Sequence, residues 1–240
     1  MRRCLVLGGG GFFGAFQAGA YESLDSFDAV IGASAGALNA WAIASRMPPA
    51  QLQDLWLSAA ASVRTGFRRP RYFGDGILDS SRLESMVHTL TRDWRPVIDL
   101  TIVVSQGWRC RQVLVRNQDI TAGVLLASCA VPVLLPAKTV GGTLSFDGGI
   151  RDSCPIWAAV ELGATHITGI NVWTHLPWWY PSSWRQGKKV SEKRRLQATL
   201  LIEPPHALGP LRLAATAAPS DVAAWIELGR RTAASVFARQ

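Results

Sequence analysis

The stretch Gly8-Gly9-Gly10-Gly11-Phe12-Phe13-Gly14 comes directly after the apolar run Cys4-Leu5-Val6-Leu7. A second stretch of the same kind, Gly32-Ala33-Ser34-Ala35-Gly36, follows the apolar residues 29–31. An apolar run followed by a glycine turn predicts a buried strand that passes into a helix. Because sites in α/β sheets form at the carboxyl ends of the strands, we expect both turns at one edge of such a sheet.

The second turn has the G-x-S-x-G spacing of a nucleophile elbow, formed by Gly32, Ser34 and Gly36. Such an elbow exposes a serine at a sharp strand-to-helix bend, and its glycines leave room for the bend. The amino end of the following helix adds positive potential, and the Ala35 N–H is available to an oxyanion. We interpret Ser34 as a nucleophile; the alternative is a structural turn with a capping serine.

The first turn can place backbone N–H groups around an anion. For acyl transfer, N–H groups near Gly10 and Gly11 would face the oxyanion of a tetrahedral intermediate. The run up to Gly14 also fits a dinucleotide-binding fingerprint, which requires an acidic residue at the end of the second strand. Asp28 lies at the start of that strand instead, so the sequence favours an oxyanion loop.

The base that would activate Ser34 has two kinds of candidate. A conventional hydrolase uses a histidine, but no histidine here lies in a local motif. Asp147 follows a predicted short strand and precedes Gly148 and Gly149, so its backbone can turn tightly and approach the serine. The ordinary pKa of an aspartate is about 3.9, and burial would raise it toward the range that a base needs.

Three motifs therefore occur in one order along the chain: Gly9-Gly10-Gly11-x-x-Gly14, Gly32-x-Ser34-x-Gly36 and Asp147-Gly148-Gly149. The set resembles the patatin-like phospholipase family. The resemblance extends to the first helix at 14–19, to 127–136 upstream of the aspartate, to 147–155, and to the closing 226–229. It covers most of the chain.

The resemblance implies a catalytic dyad that works without histidine. Ser34 would be the nucleophile, Asp147 the general base, and Gly9, Gly10 and Gly11 the oxyanion loop. No metal and no cofactor is implied. The substrate would be a phospholipid or another fatty-acyl ester, cleaved as by a phospholipase A or an esterase.

Two segments depart from the family pattern. Phe13 stands where the family usually has Arg or Lys, just before the last glycine of the first motif. Asp152-Ser153-Cys154 replaces a stretch that usually contains asparagine.

Alternating strands and helices predict an α/β fold, and the resemblance makes it a three-layer α/β/α fold with a mostly parallel central sheet. We expect one catalytic domain over residues 1–240, since there is no repeat and no long linker. The predicted strands are 4–7, 28–31, 100–104, 112–115, 143–146, 165–172 and 200–203. The predicted helices are 14–24, 35–46, 51–63, 80–90, 121–130, 155–162 and 222–237.

The composition suits one domain with a large core, because 48% of the 240 residues are hydrophobic and only 18% are charged. No apolar stretch reaches the ~18 residues of a membrane-spanning helix. The four cysteines lack the spacing of a zinc site or a disulfide framework. We therefore expect a cytoplasmic protein.

The net charge of +8 attracts nucleic acids and anionic membranes alike. Ten tryptophans, several of them beside basic residues, favour a lipid interface. The basic residues are dispersed and accompany no nucleic-acid-binding motif, so no nucleic-acid partner is expected. We predict peripheral contact with an anionic membrane at its inner face, through residues 173–195; the alternative for this segment is a solvated loop with some buried tryptophans.

Three functions remain open from the sequence. The first is a serine lipid acyl hydrolase that uses Ser34 and Asp147. The second is a weakly active protein of the same fold that mainly binds a membrane or a partner, which Phe13 and residues 173–195 would favour. The third is a Ser-His-Asp esterase that uses His166 or His175.

Overall fold

The central sheet has eight strands, and the computed structural model describes residues 2–62, 69–70, 75–173 and 197–238. The strands are β1 (Arg3–Leu7), β2 (Ala29–Ala33), β3 (Asp99–Gln106), β4 (Arg111–Arg116), β5 (Lys138–Val140), β6 (Thr143–Phe146), β7 (His166–Ile170) and β8 (Leu200–Ile202). The helices are α1 (Gly14–Tyr21), α2 (Ala35–Ala44), α3 (Pro49–Ser62), α4 (Ser81–Asp93), α5 (Ala122–Ser128), α6 (Ile156–Glu161), α7 (Leu213–Thr216) and α8 (Pro219–Phe237). Short 3₁₀ turns cover Gly11–Phe13 and Asn117–Asp119.

Five strands form the parallel part of the sheet, in the order β3, β2, β1, β7, β8. The remaining three strands, β4, β5 and β6, pair antiparallel. The predicted α/β class with a mostly parallel sheet is therefore confirmed. Strand β5 and helix α7, with three and four residues, were not anticipated.

Strand β3 brings the two halves of the site together. Strand β4 takes one hydrogen-bonding edge of β3 over Thr101 to Gln106. The end of β2 pairs with Val103, and the end of β6 pairs with Ser105. A strand has only two such edges, so β2 and β6 meet end to end along the edge opposite β4. The residues that follow them, Ser34 and Asp147, therefore meet at the same place.

Alternating side chains of the strands bury two faces of the sheet, as expected for a strand period of two. Leu5, Leu7 and Val30 belong to a large core with α1, α2, α3, α4, α5 and α8. Val6 and Ile31 belong to a smaller core with α6. Helices thus flank both faces.

Helices α1 and α8 approach each other closely through two glycines. A Cβ at Gly19 would collide with the backbone carbonyl of Ile226, and a Cβ at Gly229 with that of Phe16. The face of α1 that carries Gly19 is therefore the surface on which α8 packs. This contact holds the closing helix against the helix that follows the first glycine loop.

Helix and strand ends differ by a few residues from the sequence expectation. The first helix ends at Tyr21 and not at Leu24, while α8 begins at Pro219 and not at Val222. Among the described residues, no helix combines the length and apolar character that a membrane crossing requires.

Candidate active site

Ser34 occupies a strained turn between β2 and α2. Its backbone has φ 56° and ψ −129°. An L-residue with a positive φ is strained, and it keeps this conformation only where its surroundings hold it there. The side chain is only 7% exposed, whereas an elbow is expected to present its serine. The reason is local packing: a Cβ at Gly9 would lie 2.9 Å from the Ser34 Cβ. The two glycine turns predicted from the sequence are thus in contact.

Ser128, the last residue of α5, supports the nucleophile and the aspartate turn at once. Its Oγ accepts a hydrogen bond from the Ser34 N–H at 2.9 Å and donates to the Val103 carbonyl at 2.8 Å. Its carbonyl accepts from the Gly148 N–H at 3.1 Å. Ser128 is fully buried. One side chain thus ties the nucleophile turn to β3, and its backbone ties the aspartate turn to α5.

Hydrogen bonds to the backbone of neighbouring residues hold both the main chain and the side chain of Asp147. Its N–H donates to the Ala130 carbonyl at 2.9 Å. Its Oδ1 accepts from the Gly149 N–H at 2.7 Å. Its Oδ2 is buried and takes part in no hydrogen bond of standard geometry among the described residues. The hydrogen bond to Oδ1 therefore orients the side chain, and Oδ2 remains able to accept a proton.

Burial raises the pKa of Asp147 to about 6, while the Ser34 hydroxyl and the Gly149 N–H act in the opposite direction. The serine is thus near enough to stabilise the carboxylate, although its present orientation gives no standard hydrogen bond to Oδ2. A carboxylate with a pKa closer to neutrality is a stronger base than an ordinary aspartate. The mismatch that the sequence posed for an aspartate base is reduced by burial.

The first glycine loop has a fixed part and a part with open donors. The Gly8 N–H donates to the Ile170 carbonyl at 3.0 Å, and the Gly9 N–H to the Ser153 carbonyl at 2.7 Å. The N–H groups of Gly10 and Gly11 donate to no acceptor within the described part of the chain. The segment that departs from the family pattern, residues 152–154, therefore anchors this loop.

A chain of buried amides fixes the underside of the same loop. The Gln17 Nε2 donates to the Gly8 carbonyl at 2.6 Å. The Gln17 Oε1 accepts from the Asn39 Nδ2 at 2.9 Å, and the Asn39 Oδ1 accepts from the Trp56 Nε1 at 2.8 Å. Gln17 and Asn39 are both fully buried. Helices α1, α2 and α3 thereby share one network under the site.

Phe13 belongs to the core, although the corresponding family position is usually basic. It is 1% exposed and makes edge-to-face contacts with Trp173 at 5.3 Å and with Trp225 at 4.9 Å between ring centroids. Edge-to-face contacts of this kind stabilise a buried aromatic ring. In this chain the position stabilises the loop by packing.

The other predicted motif residues lie where the turns meet. Ala35 begins α2, and its N–H donates to no acceptor in the described structure. Close approach of backbone or a Trp56 ring leaves no room for a side chain at four glycines: Gly14, Gly32, Gly36 and Gly148. Gly149 faces the loop of Gly9, since a Cβ there would lie 3.9 Å from the Gly9 Cα.

The structure tests one of the two histidines that were alternative bases for Ser34. His166 is the first residue of β7 and pairs with Arg3, at the amino end of the parallel strands. Ser34 follows the carboxyl end of β2, so His166 cannot serve it as a base. His175 and residues 174–195 of the predicted membrane segment lie outside the described residues.

Sequence reasoning missed the supporting residues Ser128, Gln17, Asn39 and Ser153. A signal existed for two of them, because Gln17 and Asn39 are lone amides inside helices of small and apolar residues. Ser128 gave no signal of its own, since its partners lie 94 and 25 residues away in the chain.

Comparison with known proteins yields one family and a fold. The family model described as patatin-like phospholipase matches residues 5–160. No curated protein matches the chain significantly. The crystal structure of VipD from Legionella pneumophila is similar with a TM-score of 0.59 and 15% identity, covering 99% of this chain and 67% of that chain. At this identity the likeness shows the fold alone. The type III effector protein ExoU gives a TM-score of 0.44 and 17% identity, covering 99% and 53% of the two chains.

Proposed function

The chain belongs to the patatin-like phospholipase family, and from this premise we propose that it is a serine lipid acyl hydrolase with a Ser34–Asp147 dyad. The family supports hydrolysis of lipid esters in general. The assignment of the dyad rests on one observation above all: β2 and β6 share an edge of β3, which sets a strained serine against a buried carboxylate.

In the acylation step, the Asp147 carboxylate accepts the proton of the Ser34 hydroxyl. The Ser34 Oγ attacks the carbonyl carbon of the ester, and a tetrahedral oxyanion forms. Asp147 then gives the proton to the leaving alcohol as the C–O bond breaks, and an acyl-enzyme remains.

We assign the oxyanion donors to the N–H groups of Gly10, Gly11 and Ala35. The Gly9 N–H is already engaged by Ser153, so Gly9 would act by its close contact with Ser34 and not as a donor. The open N–H groups and the amino end of α2 suit a negative charge. Losing one such donor typically costs ~2.7–4 kcal/mol of transition-state stabilisation.

In the deacylation step, Asp147 takes a proton from water, which attacks the acyl carbonyl. The C–O bond to Ser34 breaks, Ser34 regains a proton, and the fatty acid is released. The Ser34 and Asp147 side chains and the backbone N–H groups named here take part in both steps.

Labelling with a fluorophosphonate probe, followed by identification of the modified residue, tests the proposal. We expect modification at Ser34, and its loss in Ser34→Ala together with acyl-ester turnover. Asp147→Asn should lower turnover by at least a hundredfold. Ser45→Ala is a matched control, since Ser45 is also a buried serine beside α2 and should keep wild-type turnover.

Wild-type turnover by Ser34→Ala or by Asp147→Asn would overturn the dyad. A wild-type protein that takes up no probe and hydrolyses no acyl ester would instead support the function of membrane or partner binding.

A further inference from the structure

Exposed apolar side chains are concentrated beside the site. The described residues include six large hydrophobic side chains that are at least 37% exposed. Two of them, Val97 and Val160, lie away from the site, before β3 and in α6. The other four lie on segments linked to the Asp147 turn: the β3–β4 turn, the segment after α5, and β6, which leads into the Asp147 turn. We name them the apolar rim: Trp108 at 82%, Val133 at 69%, Leu134 at 37% and Leu144 at 37%.

Hydrogen bonds join the turn of Trp108 to the strand of Leu144 and connect segments next to the apolar rim to the aspartate turn. The Gly107 N–H, next to Trp108, donates to the Leu144 carbonyl at 2.9 Å. The Gln112 side chain donates to the Gly148 carbonyl at 2.9 Å. Val133 follows closely on Ala130, whose carbonyl holds the Asp147 N–H. The apolar rim is thus a structured border of the site.

Val133 is unfavourable to folding in two respects. Its φ of 71° is strained, because a β-branched side chain crowds the left-handed region. Its side chain also stands 69% exposed to water. The turn is nevertheless fixed, since the Val133 and Leu134 carbonyls accept from the Ile77 and Leu78 N–H groups, each at 2.9 Å. Strain that the surroundings maintain is typical of functional positions.

Basic side chains accompany the apolar rim. Arg109, Arg111 and Arg151 are all exposed, and the Arg151 guanidinium donates to the Arg109 carbonyl at 3.3 Å. Residues 107–152 contain three acidic residues: Asp119 at the far end of β4, and Asp147 and Asp152, which are both buried. We name the three arginines the basic rim.

The acidic residues beside the Val133 loop are engaged by neighbours. The Asp79 Oδ1 accepts from the Ser81 N–H at 2.9 Å. Glu84 forms an ion pair with Lys138 at 2.8 Å. They therefore offset the positive charge of this border only in part.

We propose that the apolar rim and the basic rim together form the surface that docks on an anionic phospholipid membrane. The inference rests on the proposed lipid hydrolase function, to which it adds the partner surface. Apolar side chains would enter the headgroup region, and arginines would bind lipid phosphates. Docking in this pose sets the site against the membrane. This surface differs from residues 173–195, which the sequence suggested.

Co-sedimentation with vesicles tests the surface. One set of vesicles is pure phosphatidylcholine, and in the other set about a third of the lipid is phosphatidylglycerol. All variants carry Ser34→Ala, so binding is measured without hydrolysis. We expect Val133→Ser with Leu144→Ser to weaken binding to the anionic vesicles about tenfold. The control Val97→Ser with Val160→Ser changes equally exposed side chains away from the site and should bind like the Ser34→Ala parent.

The charge variants follow the same design. Arg109→Gln with Arg151→Gln should weaken binding about tenfold and flatten its dependence on salt. The control Arg95→Gln with Arg116→Gln removes two exposed arginines near the amino end of β3 and should have a much smaller effect.

Val133→Gly separates docking from folding. Glycine adopts a φ of 71° without strain, so the unfolding midpoint should not fall, while vesicle binding should weaken. The proposal is overturned if the parent ignores anionic lipid, or if rim and control variants bind alike. Binding by the parent combined with no acyl-ester hydrolysis by the wild type would overturn the proposed function and leave the docking surface standing.

Discussion

Asp147 combines two properties that a base for serine requires. Its Oδ1 is fixed by the Gly149 N–H, and its other oxygen is buried beside Ser34. Burial raises its pKa to about 6, which brings it closer to neutral pH. In the proposed mechanism, the Ser34 hydroxyl would give its proton to a base that is ionised at neutral pH and has a raised pKa.

The first prediction concerns pH. The base must be deprotonated to act, so kcat/KM for a soluble short-chain ester should rise about tenfold per pH unit below pH about 6 and level off above it. A rate profile between pH 4 and 9 measures this. The profile should be unchanged in His166→Gln. A profile that is flat from pH 4.5 to 7 would contradict the assignment.

The second prediction concerns Ser128, which positions the Ser34 backbone. Ser128→Ala leaves the Ser34 N–H without its acceptor, and a misaligned serine should lower kcat by about ten- to a hundredfold with little change in KM. Ser128→Cys, which keeps a weak acceptor, should recover part of the rate. A merely structural role would instead lower the unfolding midpoint and leave kcat of the folded protein unchanged. Steady-state kinetics and thermal unfolding distinguish the two.

At the scale of elements, the packing of α1 on α8 depends on glycines more than on large side chains. Gly19 and Gly229 let the two backbones approach within reach of each other's carbonyl groups. The oxyanion loop leads directly into α1, and Trp225 of α8 packs on Phe13 at the end of that loop. The closing helix therefore braces the site from behind.

The third prediction follows from this contact. Gly229→Ala places a methyl group on the Phe16 carbonyl, and the resulting strain should lower the free energy of unfolding by about 1–3 kcal/mol. Gly123→Ala is the control, because a Cβ in α5 would meet only the Thr121 Oγ1 at 3.5 Å. There, the better helix propensity of alanine should leave stability equal or slightly higher. Denaturant titrations compare the two; equal losses would refute the close-packing argument.

At the scale of the whole molecule, the buried base opposes stability. A carboxyl whose pKa is about 6 when folded and 3.8 when unfolded binds its proton more tightly in the folded state. Between these values the free energy of unfolding falls as pH rises. The difference of about two pH units corresponds to about 3 kcal/mol, fully expressed above pH about 6.

The fourth prediction uses this relation. Asp147→Asn removes the titrating group, so its free energy of unfolding should exceed that of the wild type above pH 6, with the gap closing as the pH falls toward 4. Urea titrations at several pH values measure the gap. A variant that is less stable than the wild type at pH 8 would mean that the carboxylate contributes to folding and not to catalysis alone.

Part of the fold could be predicted from the sequence because local residue patterns determine it. Apolar runs before glycine turns located β1 and β2, and the strand over 143–146 matches β6 to the residue. Strand β5 and helix α7 are too short to show a period. The expected single domain over residues 1–240 remains a prediction.

The sequence by itself determined the candidate reactive groups: Ser34 in an elbow, Asp147 before two glycines, and a loop of N–H donors. It did so because such turns require glycine at fixed local spacings. Only the tertiary structure decided which groups are free to react. It engaged the Gly9 N–H with the Ser153 carbonyl, packed Phe13 against two tryptophans, and placed the Ser128 Oγ against the Ser34 N–H. These outcomes depend on contacts between segments that are distant in the sequence. A local sequence pattern therefore cannot predict which backbone groups are already hydrogen-bonded.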